Sequence, residues 1–191
     1  MNRRQAIGRI FFGGLGGAAL VTGYEWNALN KHPDISYVEN NRELIASLAD
    51  TIIPATDIPG AKEAGVPEFI ITMVKDCTEL KAQNKFIDGL KDIQGYCKSK
   101  YRKYYQHCSE AEKQAIFQYF EKKGRPFGGI VGKVQNRFLG KSFMTTLKEY
   151  TVEGYCTSEI GATMGLTYVA VPGSYKGCIQ MQPGQRAWAT N

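Results

Sequence analysis

The sequence predicts a mainly α protein: a small helical bundle, an irregular Gly/Pro-rich C-terminal segment after it, and a short signal segment before it. Three observations carry that reading. Apolar residues recur near every 3.6 positions from Asn40 to Tyr150, which is the period of one helix face. Capping residues, prolines and glycines stand where those stripes begin and end. From Gly154 onward, Gly161, Gly165, Pro172, Gly173, Gly177, Pro183 and Gly184 punctuate the remaining residues.

The first helical stripe is Leu44, Leu48 and Ile52, flanked by Ile45, Ala49 and Ile53. Asn40 or Asn41 is its expected N-cap, and Pro54 stops it. Ile58-Pro59-Gly60 reads as a turn. Val66, Phe69, Ile70, Met73, Val74 and Cys77 form a second stripe, with Pro67 tolerated in the first turn. A long helix is expected over residues 82–105, with Phe86, Leu90, Ile93, Cys97, Tyr101 and Tyr104 inward. Ser109-Glu110-Ala111-Glu112 spells a capping box. It opens a helix over Ile116, Tyr119 and Phe120, which Gly124 closes as a C′ residue. After Pro126, Ile130, Val131, Val134 and Phe138 continue the pattern, extending to Phe143, Leu147 and Tyr150. The segment from Gly154 also holds Tyr155, Tyr168, Tyr175, Ile179, Met181 and Trp188. A disordered tail is poorer in aromatics, so the segment reads as an ordered wrap around the bundle or a partner.

Length and composition agree with one domain. A chain of 191 residues can bury roughly 70% of its unfolded surface. Hydrophobic residues at 43% and charged residues at 22% exclude wholesale disorder. Residues 1–23 read as a signal segment, 24–39 as a linker, and 40–191 as the domain, with 154–191 as its irregular docking part. Arg3, Arg4 and Arg9 precede an apolar run from Ile10 to Val21. Such a run spans about 18 Å as a helix, against about 30 Å for a bilayer core. The adjacent Arg3-Arg4 and the Gly-rich, weakly apolar run resemble a twin-arginine export signal. Gly14-Leu15-Gly16-Gly17-Ala18-Ala19 also fits a dinucleotide fingerprint. It lacks the preceding strand and βαβ setting which that motif requires. Cleavage after Gly23 would remove three arginines and no acid, lowering the net charge from +6 to +3.

Catalytic and metal motifs are missing from the pattern. The five cysteines stand at 77, 97, 108, 156 and 178, with no C-x-x-C, which excludes c-type haem attachment and zinc-ribbon spacing. Only His32 and His107 supply imidazole. His107 and Cys108 are sequence neighbours and point apart on a helix. No H-E-x-x-H, G-x-S-x-G or phosphate loop occurs. Asp50 and Asp57 fit helix and turn roles. No catalytic residue, cofactor site or metal site is therefore expected in this chain. Lys98, Lys100, Arg102 and Lys103, and Lys122, Lys123 and Arg125, read first as solvated helix faces and helix C-termini. Anionic lipid or an acidic partner is the alternative, and nucleic acid is not an expected partner. With five cysteines, at least one has no intrachain partner. Cys156 and Cys178, both in the irregular segment, are the candidates for a disulfide, with each other or across subunits.

Two blocks carry a resemblance. Residues 43–70, running from Glu43-Leu44-Ile45 through Ile53-Pro54 and Ile58-Pro59-Gly60 to Val66-Pro67-Glu68-Phe69-Ile70, form the first. Gly154-Tyr155-Cys156-Thr157-Ser158-Glu159-Ile160-Gly161, continued by Val171-Pro172-Gly173-Ser174-Tyr175-Lys176-Gly177-Cys178, forms the second. Together they resemble the gluconate 2-dehydrogenase subunit 3 family over about residues 40–188. The resemblance implies the small gamma subunit of a periplasmic, inner-membrane-associated dehydrogenase for gluconate or another sugar or sugar acid. Its implied partners are an FAD-dependent large subunit of the glucose-methanol-choline type, a multihaem cytochrome c subunit and the twin-arginine translocase. FAD and haem c would belong to those partners, with no cofactor on this chain. The small subunit would help the flavoprotein mature and carry it through the export route. Arg3 and Arg4 would engage the translocase. Pro54, Pro59, Gly60, Val66, Pro67 and Phe69 would shape the first helical corner. Tyr155, Cys156, Thr157, Ser158, Glu159, Gly161, Pro172, Gly173, Tyr175 and Cys178 would form or support the docking segment. The alternative is a stand-alone exported envelope-binding or structural protein.

Overall fold

The computed structural model describes residues 31–125, 140–167, 171, 173–174, 177–178 and 180–188. The signal segment with Arg3 and Arg4, and the stretch carrying Ile130, Val131, Val134 and Phe138, lie outside the described residues. So do Pro172 and Tyr175.

Six α-helices are described: α1 (Ile35–Asn40), α2 (Arg42–Ile52), α3 (Val66–Asp76), α4 (Leu80–Tyr101), α5 (Glu110–Lys123) and α6 (Phe143–Thr157). A 3₁₀ turn (Tyr105–His107) joins α4 to α5, and a π-helical turn (Gly161–Gly165) follows α6. No strand occurs among the described residues. One isolated parallel bridge pairs Thr167 with Trp188.

The helical periods place the core. Leu44, Ile45, Leu48 and Ala49 of α2 are buried, as are Val66, Ile70 and Val74 of α3 and Phe86, Leu90, Ile93 and Cys97 of α4. Ile116 and Phe120 of α5 join Phe143, Met144 and Leu147 of α6 in the same cluster. The Phe86 and Phe143 rings meet at 5.0 Å between centroids, within the range of favourable aromatic pairs. α3, whose first residues belong to the first resembling block, packs against both α2 and α6. No described helix is long and apolar enough to cross a membrane.

Capping is local and mostly legible. The Ser109 hydroxyl accepts from Glu112 N at 3.4 Å, and Glu112 Oε2 accepts from Ser109 N at 2.8 Å. That backbone bond holds the Glu112 carboxyl below its usual value. Its stabilising part is thus present above the ordinary carboxylate range, and is lost as pH falls through the lowered value. Ser142 caps α6 through Thr145 N at 3.2 Å. Buried Gln83 closes the other end of α3, donating to Val74 O at 2.9 Å and Lys75 O at 3.0 Å.

Several elements depart from the sequence pattern. Helix α1 takes up the end of the stretch read as linker and the first residue of the expected domain, capped by Asp34 Oδ1 at 3.3 Å from Tyr37 N, with Val38 fully buried. Asn41 stands at the N-cap of α2, but its amide donates to Tyr37 O at 2.8 Å instead. Cys77 falls one residue past α3 and is exposed. Helix α4 ends at Tyr101, because Arg102 adopts a left-handed φ of 58° and turns the chain back. That turn inverts the tyrosine pattern: Tyr105 is fully buried and Tyr104 is 49% exposed. Gly124 follows α5 with an ordinary φ of −82°, so its lack of a side chain is not used for a left-handed cap. Tyr119 faces out and stacks on Tyr96 at 4.6 Å. The expected irregularity at Gly154 starts later, since α6 runs on to Thr157.

Candidate docking face

The two resembling blocks meet in space. A Cβ at Gly154 would lie 2.6 Å from Phe69 Cδ1, so the small residue is what lets α6 press against α3. The next residue, Tyr155, is buried, and its hydroxyl donates to Pro59 O at 2.9 Å. That single bond spans 96 positions of sequence and fastens the Pro54–Gly60 corner to the last turns of α6. The Ser158 hydroxyl donates to Tyr155 O at 2.7 Å and accepts from Gly161 N at 2.9 Å. Gly161 is buried against that same carbonyl. Tyr155, Ser158 and Gly161 are thus the supports beneath the surface. They brace the point where the chain leaves the bundle.

The surface itself is made by their neighbours. Thr157 and Glu159 are exposed, and Cys156 is half-buried. Thr157 Oγ1 donates back to Glu153 O, and Thr163 Oγ1 to Glu159 O. Beyond the π turn, each described residue from Val171 to Trp188 is exposed, Gly173 and Cys178 included. Among the described residues, Thr167 N donates to Ala187 O at 2.8 Å, and Arg186 Nη1 donates to Met164 O at 2.5 Å. Val171 and Met181 are each 82% exposed, and Val152, Met164 and Trp188 are exposed as well. Large apolar side chains held in water along one segment mark an interaction surface more than a folded core. Sequence reasoning missed Val152 and Met164, because a helical stripe alone does not tell an outward apolar residue from an inward one.

Among the described residues, no group of three or more His, Cys, Asp or Glu side chains could hold a metal ion. All five cysteines are free thiols, and Cys156 and Cys178 are not joined. Asp57 accepts from Thr56 Oγ1 at 3.0 Å within the corner turn. Asp50 lines a polar cleft of about 410 Å³ with Arg42, Lys62 and Lys113. The basic runs are partly paired on the surface: Lys103 with Glu112, Lys123 with Asp92, and Arg125 with Glu121. Lys98 lies 4.4 Å from the Tyr104 ring centroid. Exposed pairs of this kind contribute little to stability.

A family model described as gluconate 2-dehydrogenase subunit 3 matches residues 39–173. The match takes in the Pro54–Gly60 corner, Tyr155 and the π turn, and reaches the start of the exposed segment. Comparisons with curated proteins and with solved structures gave no match.

Proposed function

Since the chain belongs to the gluconate 2-dehydrogenase subunit 3 family, we propose that it is the small, non-catalytic subunit of an exported, FAD-dependent dehydrogenase for a sugar or sugar acid. Membership makes it a subunit of a gluconate 2-dehydrogenase-type complex. The finer reading adds a role in that complex. The chain docks on a flavoprotein of the glucose-methanol-choline type, assists its maturation, and brings it through the twin-arginine route on Arg3 and Arg4. The assembled complex then works in the periplasm, passing electrons to a multihaem cytochrome c at the inner membrane.

The observation that carries this reading is the exposed apolar segment beyond α6. Val171, Met181 and Trp188 are exposed, on a segment whose far end bonds to Met164 and Thr167 at the π turn. Such side chains gain by burial at roughly 25 cal/mol per Å², and a partner surface supplies that burial. The supports Tyr155, Ser158 and Gly161 fix the end of α6 and the entry to the π turn.

The test is capture of the chain from its native host with an antibody raised against it. Wild type brings down a flavin-containing polypeptide in near-equal amount. The double variant Val171→Asp/Met181→Asp brings down at least about tenfold less, the scale expected when two interface anchors are lost. Recovery of a solitary, colourless, folded chain from wild type contradicts the reading and favours a stand-alone envelope protein.

A further inference from the structure

Charge is unevenly spread along the chain. Residues 31–90 hold six Lys and Arg against ten Asp and Glu, a net of −4; residues 91–125 hold nine against four, a net of +5. The excess is sharpest at the reversal between α4 and α5. No Asp or Glu occurs from residue 93 to residue 109, a stretch that includes Lys98, Lys100, Arg102 and Lys103. All four of these side chains are exposed.

The fold gathers them at one tip. Helix α4 ends at Tyr101, the left-handed Arg102 turns the chain, and the 3₁₀ turn leads on to α5. The tip is held from inside. Tyr105 is fully buried, and its N–H donates to Gln94 Oε1 at 3.2 Å. Gln94 Nε2 donates to Gln106 Oε1 at 3.0 Å. Tyr104, next in the chain, stays outside with the cations.

The contacts at the tip leave its charge in place. Lys98 Nζ lies 4.4 Å from the Tyr104 ring centroid. Lys100 Nζ donates to the Tyr96 hydroxyl at 2.9 Å and lies 5.4 Å from the Tyr101 ring centroid. A ring face attracts a cation without cancelling its charge. Among the described residues, Lys103 alone of the four has a carboxylate partner, Glu112 at 3.7 Å. The C-terminal end of α4 supplies about half a negative charge, so most of the positive charge faces solvent.

We propose that this tip is a peripheral membrane contact: Lys98, Lys100, Arg102 and Lys103 meet anionic phospholipid headgroups, and the Tyr104 ring sits among them. A lipid surface asks for charge and for amphipathic side chains, not for a groove. Long Lys and Arg stems carry their charged heads to the phosphates, and tyrosine settles at headgroup level. A protein partner fits this surface less well. Protein interfaces are depleted in lysine at their centre and rest on fully buried anchors, whereas here lysines surround one exposed tyrosine. The contact is a property of the folded chain, and its test does not depend on the partner or the export route proposed above.

The test is sedimentation of the full chain with vesicles of phosphatidylcholine, with and without about one quarter phosphatidylglycerol. An anionic surface adds about fivefold in affinity for each cation near it. Wild type should bind the mixed vesicles at least about tenfold more tightly than the neutral ones, and high salt should remove the difference. The variant Lys98→Gln/Lys100→Gln/Lys103→Gln keeps Arg102, whose backbone makes the turn, and should lose at least about tenfold in affinity for the mixed vesicles. The control Lys62→Gln/Lys75→Gln/Lys141→Gln removes the same charge from exposed positions elsewhere, and should lose less than about threefold. Exposed substitutions of this kind leave the fold intact, which circular dichroism checks. Residues 1–30 are common to all three proteins, so any binding of their own does not enter the comparison. Equal losses from the two triple variants would make the binding a matter of net charge. An unchanged tip variant would place it elsewhere, Arg3, Arg4 and Arg9 included. Binding to soluble polyglutamate with none to the mixed vesicles would assign the tip to an acidic protein. Each of these results overturns the proposal, as does failure of wild type to bind the mixed vesicles.

Discussion

Gly161→Ala is expected to destabilise the domain by at least about 3 kcal/mol, the range of substitutions that force atoms into a packed site. A Cβ there would lie 1.7 Å from Tyr155 O and 2.6 Å from Tyr155 C. Those atoms are main chain, at the end of α6. They cannot withdraw without breaking the bonds from Ser158 to Tyr155 and from Gly161 to Ser158. Gly165→Ala is the control. Its Cβ would meet the Tyr155 ring at 2.7 Å, a side chain with some room to turn, so the loss should be smaller. Urea unfolding of the two variants checks the order. A Gly161→Ala midpoint equal to wild type would mean that the chain does not leave α6 as described.

Tyr105→Ala should cost about 3–5 kcal/mol, the usual range for removing a buried aromatic. Tyr105 is fully buried, and its loss would open a cavity beneath α2, which packs on the 3₁₀ turn. Its hydroxyl lies 2.9 Å from Thr51 Oγ1, which already donates to Ser47 O at 2.8 Å. Thr51 has one proton, so Tyr105 is the donor. Burial pushes the tyrosine hydroxyl above its usual range, which keeps that proton in place. Tyr105→Phe removes only this bond and should cost about 1 kcal/mol. Near-equal losses for the two variants, measured by chemical denaturation, would show that the ring is not the main contribution.

The contrast between Tyr104 and Tyr105 shows what the sequence could and could not disclose. The stripes of α2 and α3, the proline stop after α2 and the Ser109 capping box depend on residues within one or two turns. Such features are written locally, and, Cys77 apart, the structure holds them where the pattern puts them. Arg102 is different. A left-handed arginine is costly in isolation and has no sequence signature. The early end of α4, and the exchange of Tyr104 for Tyr105 in the core, follow from that one residue. Gly154 misled for a related reason. In a sequence it reads as punctuation, whereas in the fold it is the gap that admits Phe69.

The candidate site was legible in the same measure. Its stretches were visible as two blocks, but their meeting was not, because the bond from Tyr155 to Pro59 is long-range. Tyr155 and Gly161 belong under the face, while Val152 and Met164 belong on it.

On the proposed function, the segment beyond the π turn seats this chain on a flavoprotein partner. Amide hydrogen exchange, compared between the free chain and the chain in the purified complex, tests it most directly. Strong slowing is expected across residues 171–188, with a smaller effect at Val152 and Met164 and no change in the core of α2 and α4. Exchange in residues 171–188 as fast in the complex as in the free chain would contradict it.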